Sequence, residues 1–255
     1  MECSDRIAEF DGNRLSLKFL PWDTKFFRRP SYLLDIADSV FDFSTGSSDN
    51  WGYHLDNSFI TVKLNEDANS KKMLDKLQSF GFRYIGTELV LQNLWESKAT
   101  ISEQEETYPG VKFIEIEKNE NLPYKNLGSL FEYSRFHLEQ NIHNDWADEF
   151  WSDYLQSIQL DGNKKMFAAT YLGEIAGIIF VQQTLAKATL FFVAILEKYR
   201  CLNIGSKLIA YSIRMLNSEN IVTEVYAGNV RALNFYLRNG FRKVTCSRIV
   251  LHRWS

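Results

Sequence analysis

The stretch Phe192–Ile209 constrains the fold more than any other part of this 255-residue chain. It reads FVAILEKYRCLNIGSKLI, in which a run of β-forming residues gives way to a short polar loop and then to the apolar spacing of an amphipathic helix. At such a junction the first N–H groups of the helix have no partner within the helix, and the positive end of its dipole faces the loop. The sequence therefore predicts a strand–loop–helix unit that can bind a phosphate group.

The residue types in this loop suit that ligand. Asn203 is one of the few non-glycine residue types that enter the left-handed region at low cost, and Gly205 lets a ligand approach the backbone closely. The guanidinium of Arg200 binds phosphate in a two-pronged way. The predicted binding residues are Arg200, Cys201, Leu202, Asn203, Ile204, Gly205 and Ser206. Such units also occur without a ligand, so the loop alone leaves both interpretations open.

Hydrophobic periodicity predicts an α/β architecture around this unit. The C-terminal part of the chain has the predicted order ααβββαβαβ. Its elements are helices over Tyr124–His137 and Asp145–Ile158, strands over Met166–Tyr171, Ile175–Gln182 and Ala188–Ile195, a helix over Ile204–Leu216, a strand over Ile221–Tyr226, a helix over Asn229–Asn239 and a final pair of strands through Leu251. The residues Leu172 to Glu174 predict a tight hairpin turn.

A polar, acidic segment at 96–110 that ends in Pro-Gly predicts a boundary between two domains, 1–107 and 108–255. The smaller N-terminal domain is predicted to be α/β, with strands over Leu15–Leu20 and Ser58–Leu64 and a helix over Ser70–Phe80. Ser70–Arg83 aligns without gaps on Asn229–Arg242. Either a half-domain has been duplicated, or both segments are an ordinary helix–glycine–strand unit.

Composition excludes several classes of protein. A net charge of −3 and the lack of a basic block argue against nucleic-acid binding. No apolar run is long enough to span a bilayer, and the N-terminus is acidic and polar, so we expect a cytoplasmic protein without membrane association. The three cysteines, Cys3, Cys201 and Cys246, are far apart in the sequence, which indicates free thiols and no metal site.

Two motifs resemble those of the GNAT superfamily of acyl-CoA N-acyltransferases. Arg200–Gly205 is similar to the pyrophosphate loop Q/R-x-x-G-x-G/A of that superfamily, with Asn203 in place of the first glycine. Asn229–Phe241 resembles its N-x-x-A-x-x-x-Y-x-x-x-G-F motif. Leu20–Phe27 is similar to the L-x-W-D/E-x-x-F-F segment of the dTDP-fucosamine acetyltransferase family, although Arg28 replaces the glycine that usually follows.

The resemblance implies a GNAT fold with acetyl-CoA as co-substrate, preceded by an N-terminal domain that resembles a partial GNAT unit and helps to form the acceptor site. Acetyl-CoA would lie where the strand Phe191–Ile195 parts from its neighbour. Its pantetheine arm would pair with the backbone of Val193, Ala194 and Ile195, and Asn229 would complete the cofactor-binding set. Tyr236 would donate a proton to the departing CoA thiolate. By its helical spacing alone, Tyr236 would be a core aromatic.

The same resemblance implies an acceptor, a nucleotide-linked (dTDP- or UDP-) amino-deoxysugar. Arg135 would clamp its phosphates or else form a surface ion pair. His137 or His143 would take the amine proton through water, or else lie at the surface or cap a helix. Two copies of the chain could also form a homodimer. Two alternatives stay open: acetylation of another amine, such as a peptide, polyamine or antibiotic, and a non-catalytic acyl-CoA-binding module.

Overall fold

A computed structural model of the chain describes residues 5–10, 13–36, 57–67, 70–94, 109–117, 122–158, 160, 162–216 and 218–254. The chain divides into two compact units: Met1–Glu88 with Cys246–Ser255, and Leu89–Thr245. We call these the N-terminal and C-terminal units. The last ten residues therefore group with the N-terminal unit, whereas the predicted domains divide the chain once. The predicted boundary falls largely on 95–108, which lie outside the described residues.

The N-terminal unit is built from a mixed sheet and two helices. In chain order its elements are β1 (Arg6–Phe10), β2 (Asn13–Phe19), α1 (Pro21–Phe27), β3 (Ser31–Ile36), β4 (Phe59–Asn65), α2 (Ser70–Ser79), the first part of β5 (Arg83–Asn93) and the last part of β11 (Phe241–Trp254). Strands β3 and β4 pair in parallel, whereas β1–β2, β2–β3 and β4–β11 are antiparallel. Helix α2 buries Met73 and Leu77 against this sheet, as its spacing predicts.

The N-terminal unit also contains a charged cluster within its sheet. The Glu88 carboxylate accepts hydrogen bonds from Lys63 Nζ at 2.7 Å and from Arg248 at 3.4 Å. Only 8% of the Glu88 side chain is exposed, against 19% for each of the two cations. Because the three residues lie on β4, β5 and β11, this one carboxylate neutralises cations from two other strands of the unit.

The C-terminal unit has the predicted order of elements, preceded by the last part of β5 and by β6, a strand that the sequence did not indicate. Its elements are the last part of β5, β6 (Val111–Ile116), α3 (Tyr124–Gly128), α4 (Asn144–Ser157), β7 (Lys164–Tyr171), β8 (Glu174–Gln183), β9 (Ala188–Ile195), α5 (Ile204–Met215), β10 (Ile221–Tyr226), α6 (Val230–Arg238) and the first part of β11. The strand order is β11-β5-β10-β9-β8-β7-β6. No helix within the described ranges combines the length and apolar character needed to cross a membrane.

The helix predicted over Tyr124–His137 is much shorter in the structure, because α3 ends at Gly128. A side chain at Gly128 would collide with Ser152 and Asp148 of α4, so the two helices are in close contact there. Beyond it, the Ser134 hydroxyl accepts hydrogen bonds from the backbone N–H groups of Phe136 and His137. Such local side-chain bonds compete with helix formation, and residues 129–142 form successive turns instead.

Two other predictions about turns have clear outcomes. The hairpin between β7 and β8 is confirmed: Leu172 and Gly173 both have positive φ angles, of 50° and 89°, as a two-residue hairpin turn requires. The final pair of strands through Leu251 was wrong, because β11 runs unbroken from Phe241 to Trp254. Its exposed first residues carry little apolar signal, which is why the sequence did not indicate one long strand.

The C-terminal unit has a hydrophobic cluster on each face of its sheet. One cluster includes α5 and α6, and the other includes α3 and α4. Burial alternates strictly along β9. Val193 and Ile195 contact the first cluster, whereas Phe192 and Ala194 belong to the second. This strand is therefore packed on both sides, and its position in the unit is fixed.

The Glu88 cluster yields a test of stability. Replacing Glu88 with alanine leaves Lys63 and Arg248 without their shared carboxylate, and breaking a largely buried ion pair costs about 3 kcal/mol. We therefore expect the Glu88→Ala variant to lose about 3 kcal/mol of unfolding free energy in urea titrations followed by circular dichroism. The control is Glu66→Ala, which removes an exposed carboxylate bonded to Ser247. Equal losses in the two variants would contradict this account of the cluster.

Candidate functional site

The backbone of β9 becomes accessible where its neighbour β10 parts from it. The parallel pairing of β9 with β10 ends at Leu190 opposite Thr223, whereas the pairing with β8 continues to Ile195. Leu196 donates its backbone N–H to Ala176 of β8 at 2.9 Å. Because hydrogen-bonding direction alternates along an antiparallel ladder, the N–H and C=O groups of Val193 and Ile195 point away from β8. The two N–H groups and the Val193 carbonyl are available to pair with an extended ligand, whereas the Ile195 carbonyl already accepts a hydrogen bond from Arg200.

The loop after β9 turns the chain sharply towards α5. A single 3-10 turn, Glu197–Tyr199, follows the strand. Cys201 and Asn203 then adopt left-handed backbone conformations, with φ angles of 66° and 56°. Arg200 donates from Nε to the Ile195 carbonyl at 3.2 Å, so its guanidinium is held beside the end of β9. The left-handed conformation predicted for Asn203 is confirmed.

The N-terminus of α5 presents a row of unused backbone donors. The helix begins at Ile204, and its first backbone bond runs from Lys207 N–H to the Asn203 carbonyl at 3.3 Å. Within the described chain, the N–H groups of residues 201–206 have no acceptor. The first turn of α5 contains no acidic side chain that would compete for them. Together with the positive end of the helix dipole, these donors form an anion-binding concavity.

Gly205 is required for a reason that the sequence did not reveal. A Cβ atom at this position would lie 3.1 Å from the Phe235 ring of α6 and 3.3 Å from Ile195 Cγ1 of β9. Gly205 is itself buried. The glycine therefore allows α5, α6 and β9 to pack closely. The sequence predicted instead that Gly205 would let a ligand approach the backbone.

An exposed cluster connects this loop to the β7–β8 hairpin. Lys198 Nζ lies 2.6 Å from Glu174 Oε2, and the Tyr199 hydroxyl donates to the same oxygen at 2.8 Å. Hydrogen bonds from Lys198 and Tyr199 lower the pKa of Glu174, and the hydrogen bond with Glu174 raises the pKa of Lys198. The connection is therefore complete at neutral pH. It weakens as pH falls through the lowered pKa of Glu174, or rises through the raised pKa of Lys198.

Tyr236 lies at the point where β9 and β10 part. It is buried, and its side chain is hydrogen-bonded to that of Thr223. The Thr223 hydroxyl also donates to the Leu190 carbonyl at 2.9 Å. Burial raises the pKa of Tyr236, and the hydrogen bond with Thr223 opposes this only in part. The phenol therefore retains its proton throughout the neutral pH range.

Asn229 has a structural role at the start of α6. It is the N-cap residue, and its side-chain oxygen accepts a hydrogen bond from Ala232 N–H at 3.0 Å. An asparagine in this position satisfies one of the helix's unpaired donors. The cap fixes the first turn of α6, the helix that carries Tyr236.

The structure gives His137 two partners. Its Nδ1 lies 2.7 Å from Ser134 Oγ, and its Nε2 lies 2.9 Å from Asp148 Oδ1. Only 5% of the side chain is exposed. Because the carboxylate only accepts, Nε2 carries the hydrogen in that bond. His137 thus connects the turns after α3 to α4.

The other two candidates for the acceptor site also have local contacts. The half-buried Arg135 guanidinium lies over the Phe136 ring, 4.3 Å from its centre. His143 is exposed and caps α4 by accepting a hydrogen bond from Asp145 N–H, so the capping interpretation is the one that the structure supports. Among the described residues, no group of three or more His, Cys, Asp and Glu side chains could hold a metal ion.

Two residues of the site escaped the sequence argument. Glu174 gives no signal because its contacts with Lys198 and Tyr199 exist only in the folded chain. Thr223 does give a weak signal, since it is one of two polar residues in β10, beside Glu224, and it is the buried one of the two. Its hydroxyl bonds to Leu190 and Tyr236, which connects the end of the β9–β10 pairing to α6.

Comparisons with known proteins agree with this arrangement. Residues 130–241 match the model of the acetyltransferase (GNAT) family, a range that includes β9, the loop, α5 and α6. This part of the chain is therefore similar to the GNAT acetyltransferases. No curated protein sequence matches the chain.

Solved structures show that the fold is the mixed α/β GNAT fold. A Staphylococcus epidermidis protein of unknown function is 13% identical, with a TM-score of 0.63 over 100% of this chain and 96% of that one. A GCN5-related N-acetyltransferase from Sphaerobacter thermophilus is 14% identical, with a TM-score of 0.59 over 95% and 78%. A tandem GNAT protein from the clavulanic acid biosynthesis pathway is 12% identical, with a TM-score of 0.57 over 98% and 82%.

The packing at Gly205 can be tested by adding one methyl group. In Gly205→Ala the new Cβ meets an aromatic ring and a β9 side chain, and overpacking of this kind costs about 2 kcal/mol. We expect lower stability in urea titrations and weaker CoA binding in calorimetry, because α5 must move relative to α6 and β9. Gly162→Ala is the control, since a Cβ there meets nothing within 4 Å. Unchanged stability and affinity in Gly205→Ala would contradict the packing role.

Proposed function

We propose that this chain is an acetyl-CoA-dependent N-acetyltransferase that acts on the amino group of a nucleotide-linked amino-deoxysugar. The observation that carries the acetyl transfer is the run of unused N–H groups at residues 201–206, directly after a strand whose backbone is free on one side. Both features lie within the range that matches the GNAT family model.

The residues present fit acetyl-CoA. Its pyrophosphate suits the N-terminus of α5, where backbone donors and the helix dipole favour a dianion. Arg200 stands beside these donors and adds a guanidinium. The pantetheine arm contains amide groups, and the outward N–H groups of Val193 and Ile195 and the Val193 carbonyl are their natural partners. Acetyl-CoA supplies the acetyl group as a thioester.

The chain's own groups then provide the chemistry. A backbone N–H of Val193 or Ile195 would stabilise the oxyanion that develops when the amine attacks the thioester carbonyl, a contribution of about 3 kcal/mol. As the new N–C bond forms and the C–S bond breaks, the thiolate takes a proton from Tyr236. The proton that the amine loses passes to solvent, and solvent returns a proton to Tyr236. Because the pKa of Tyr236 is raised by burial, the phenol is protonated at neutral pH and has a proton to donate when the thiolate appears.

The role of Tyr236 can be tested with Tyr236→Phe. We expect kcat to fall about 100-fold, the lower end of the usual contribution of a general acid, with little change in CoA affinity. Because the pKa of Tyr236 is raised, loss of its proton should not reduce kcat below about pH 10. Steady-state rates of thiol release across pH and calorimetric titration with CoA provide these values.

Tyr211→Phe is the matched control, because Tyr211 on α5 contacts the aromatic rings of Phe113 and Phe167 in the same core cluster. It should leave kcat unchanged. An unchanged kcat in Tyr236→Phe would remove this tyrosine from the mechanism while leaving the proposed reaction in place.

The nucleotide-sugar acceptor rests on narrower support. Leu20–Phe27 resembles a segment of dTDP-fucosamine acetyltransferases, and Phe131–Phe136, which contains Arg135, is similar to another segment of that family. In the structure the first segment includes α1, whose Phe27 ring contacts Phe59 and Trp254. Its aromatic residues thus have a packing role, whereas the half-buried Arg135 lies within the range that matches the family model. Arg135 is the candidate for a contact with the acceptor phosphates.

A substrate screen tests this acceptor directly. We expect acetyl-CoA to release free thiol with dTDP-4-amino-4,6-dideoxygalactose or another dTDP- or UDP-linked amino sugar. The matched control sugar carries a hydroxyl in place of the amine and should give no release. Arg135→Ala should raise the KM for the nucleotide sugar about tenfold while leaving the KM for acetyl-CoA unchanged. Turnover on a peptide amine, with no release for any amino sugar, would overturn the assignment.

A further inference from the structure

A basic concavity lies on the exposed side of α6, outside the residues that the motifs identify. It has a volume of about 520 Å³ and is lined by Arg231, Asn234, Leu237, Arg238 and Arg242. Arg231, Asn234 and Arg238 are spaced by three and four residues, so they share one face of the helix. Arg242 joins them because the chain reverses at Gly240, which has a φ angle of 86°. We call this surface the arginine face.

The charges of the arginine face are not neutralised by the protein. Among the residues that the structure describes, no acidic side chain forms an ion pair with Arg231, Arg238 or Arg242. Among the described residues, these three guanidinium groups form a single side-chain hydrogen bond, from Arg242 Nε to the Leu237 carbonyl at 3.5 Å. Three like charges around one concavity repel each other, and a bound anion relieves that repulsion.

The position of Arg231 strengthens this argument. It is the second residue of α6, where the positive end of the helix dipole disfavours a cation. Arg238, in contrast, lies in the last turn, where a cation stabilises the helix. Helix stability therefore accounts for Arg238 but not for Arg231, and an anionic ligand accounts for both.

The arginine face adjoins the phosphate-binding loop. Phe235 follows Asn234 directly, and its ring is the group that a Cβ at Gly205 would meet at 3.1 Å. A ligand bound at the N-terminus of α5 therefore lies close to α6. Leu237, which is exposed, adds an apolar group to the lining that suits the flat base of a nucleotide.

We infer that the arginine face binds a phosphate group of a nucleotide ligand. The guanidinium groups of Arg231 and Arg238 would bind its oxygens in a two-pronged way, and Asn234 would donate from its amide. This inference rests on the proposed function, which offers two sources of such a phosphate. One is the 3′-phosphate of CoA, and the other is the diphosphate of the nucleotide-sugar acceptor.

Calorimetric titrations of the full-length protein with three ligands test the inference and identify the source. The ligands are CoA, dephospho-CoA, which lacks only the 3′-phosphate, and dTDP. Each is titrated against wild type, Arg231→Ala, Arg238→Ala and Arg214→Ala. The last is the control, because Arg214 is an exposed arginine on α5 that lies over the Tyr211 ring. Circular dichroism establishes that each variant is folded.

If the phosphate comes from CoA, wild type binds CoA about tenfold more tightly than dephospho-CoA, the effect of one charge-assisted contact. In Arg231→Ala and Arg238→Ala the ratio of CoA affinity to dephospho-CoA affinity falls towards one, and the affinity for dephospho-CoA is unchanged. If the phosphate comes from the acceptor, the two variants instead weaken dTDP binding about tenfold and leave both CoA affinities unchanged. Arg214→Ala alters none of these values.

The inference and the proposed function fail in different ways. If Arg231→Ala and Arg238→Ala bind all three ligands as tightly as wild type does, and CoA is among the ligands bound, the arginine face is not a phosphate site. The proposed function then still stands. Wild type that binds neither CoA nor dephospho-CoA would overturn the proposed function, and the dTDP titration would then decide the arginine face alone. A weakening of equal size in Arg214→Ala would also overturn the inference, because it would show a general effect of positive charge.

Discussion

The site depends on the separation of β9 from β10 after Leu190 and Thr223. A strand inside a sheet normally has both edges paired, and its backbone is then unavailable to a ligand. Here the pairing with β8 holds β9 in place while the other edge opens at Val193 and Ile195. The Thr223 hydroxyl closes the sheet at the last paired position by bonding the Leu190 carbonyl. The Tyr236 side chain adjoins the same Thr223, so the proposed proton donor lies at the end of the pairing.

Much of the strand–loop–helix segment from β9 to α5 could be predicted from the sequence, because each of its signals is local. The apolar spacing of α5 and the asparagine at its start are properties of adjacent residues, and the left-handed Asn203 follows from them. The close contact of Gly205 with Phe235 could not be predicted, since it joins residues thirty positions apart. The early end of α3 likewise depends on contact with α4 and on hydrogen bonds to Ser134, whereas periodicity favours a continuous helix.

The N-terminal unit repeats one local pattern of the C-terminal unit. In each, a helix ends at a glycine with positive φ, of 82° at Gly81 and 86° at Gly240, and a strand follows. Leu77 of α2 is at the position that aligns with Tyr236, and it is a fully buried core residue. The N-terminal copy therefore has the packing of this pattern without its ionisable group. This difference agrees with the location of the family match in the C-terminal unit.

The contact of Glu174 with Lys198 and Tyr199 has a consequence for how a ligand is bound. It joins the 3-10 turn after β9 to the β7–β8 hairpin, and Arg200 joins the same loop to the end of the strand. These contacts limit the conformations of the loop before a ligand binds. A ligand that arrives afterwards meets donors already in position, so little ordering entropy opposes its association. Selectivity in this region would thus come from a preformed shape more than from closure around the ligand.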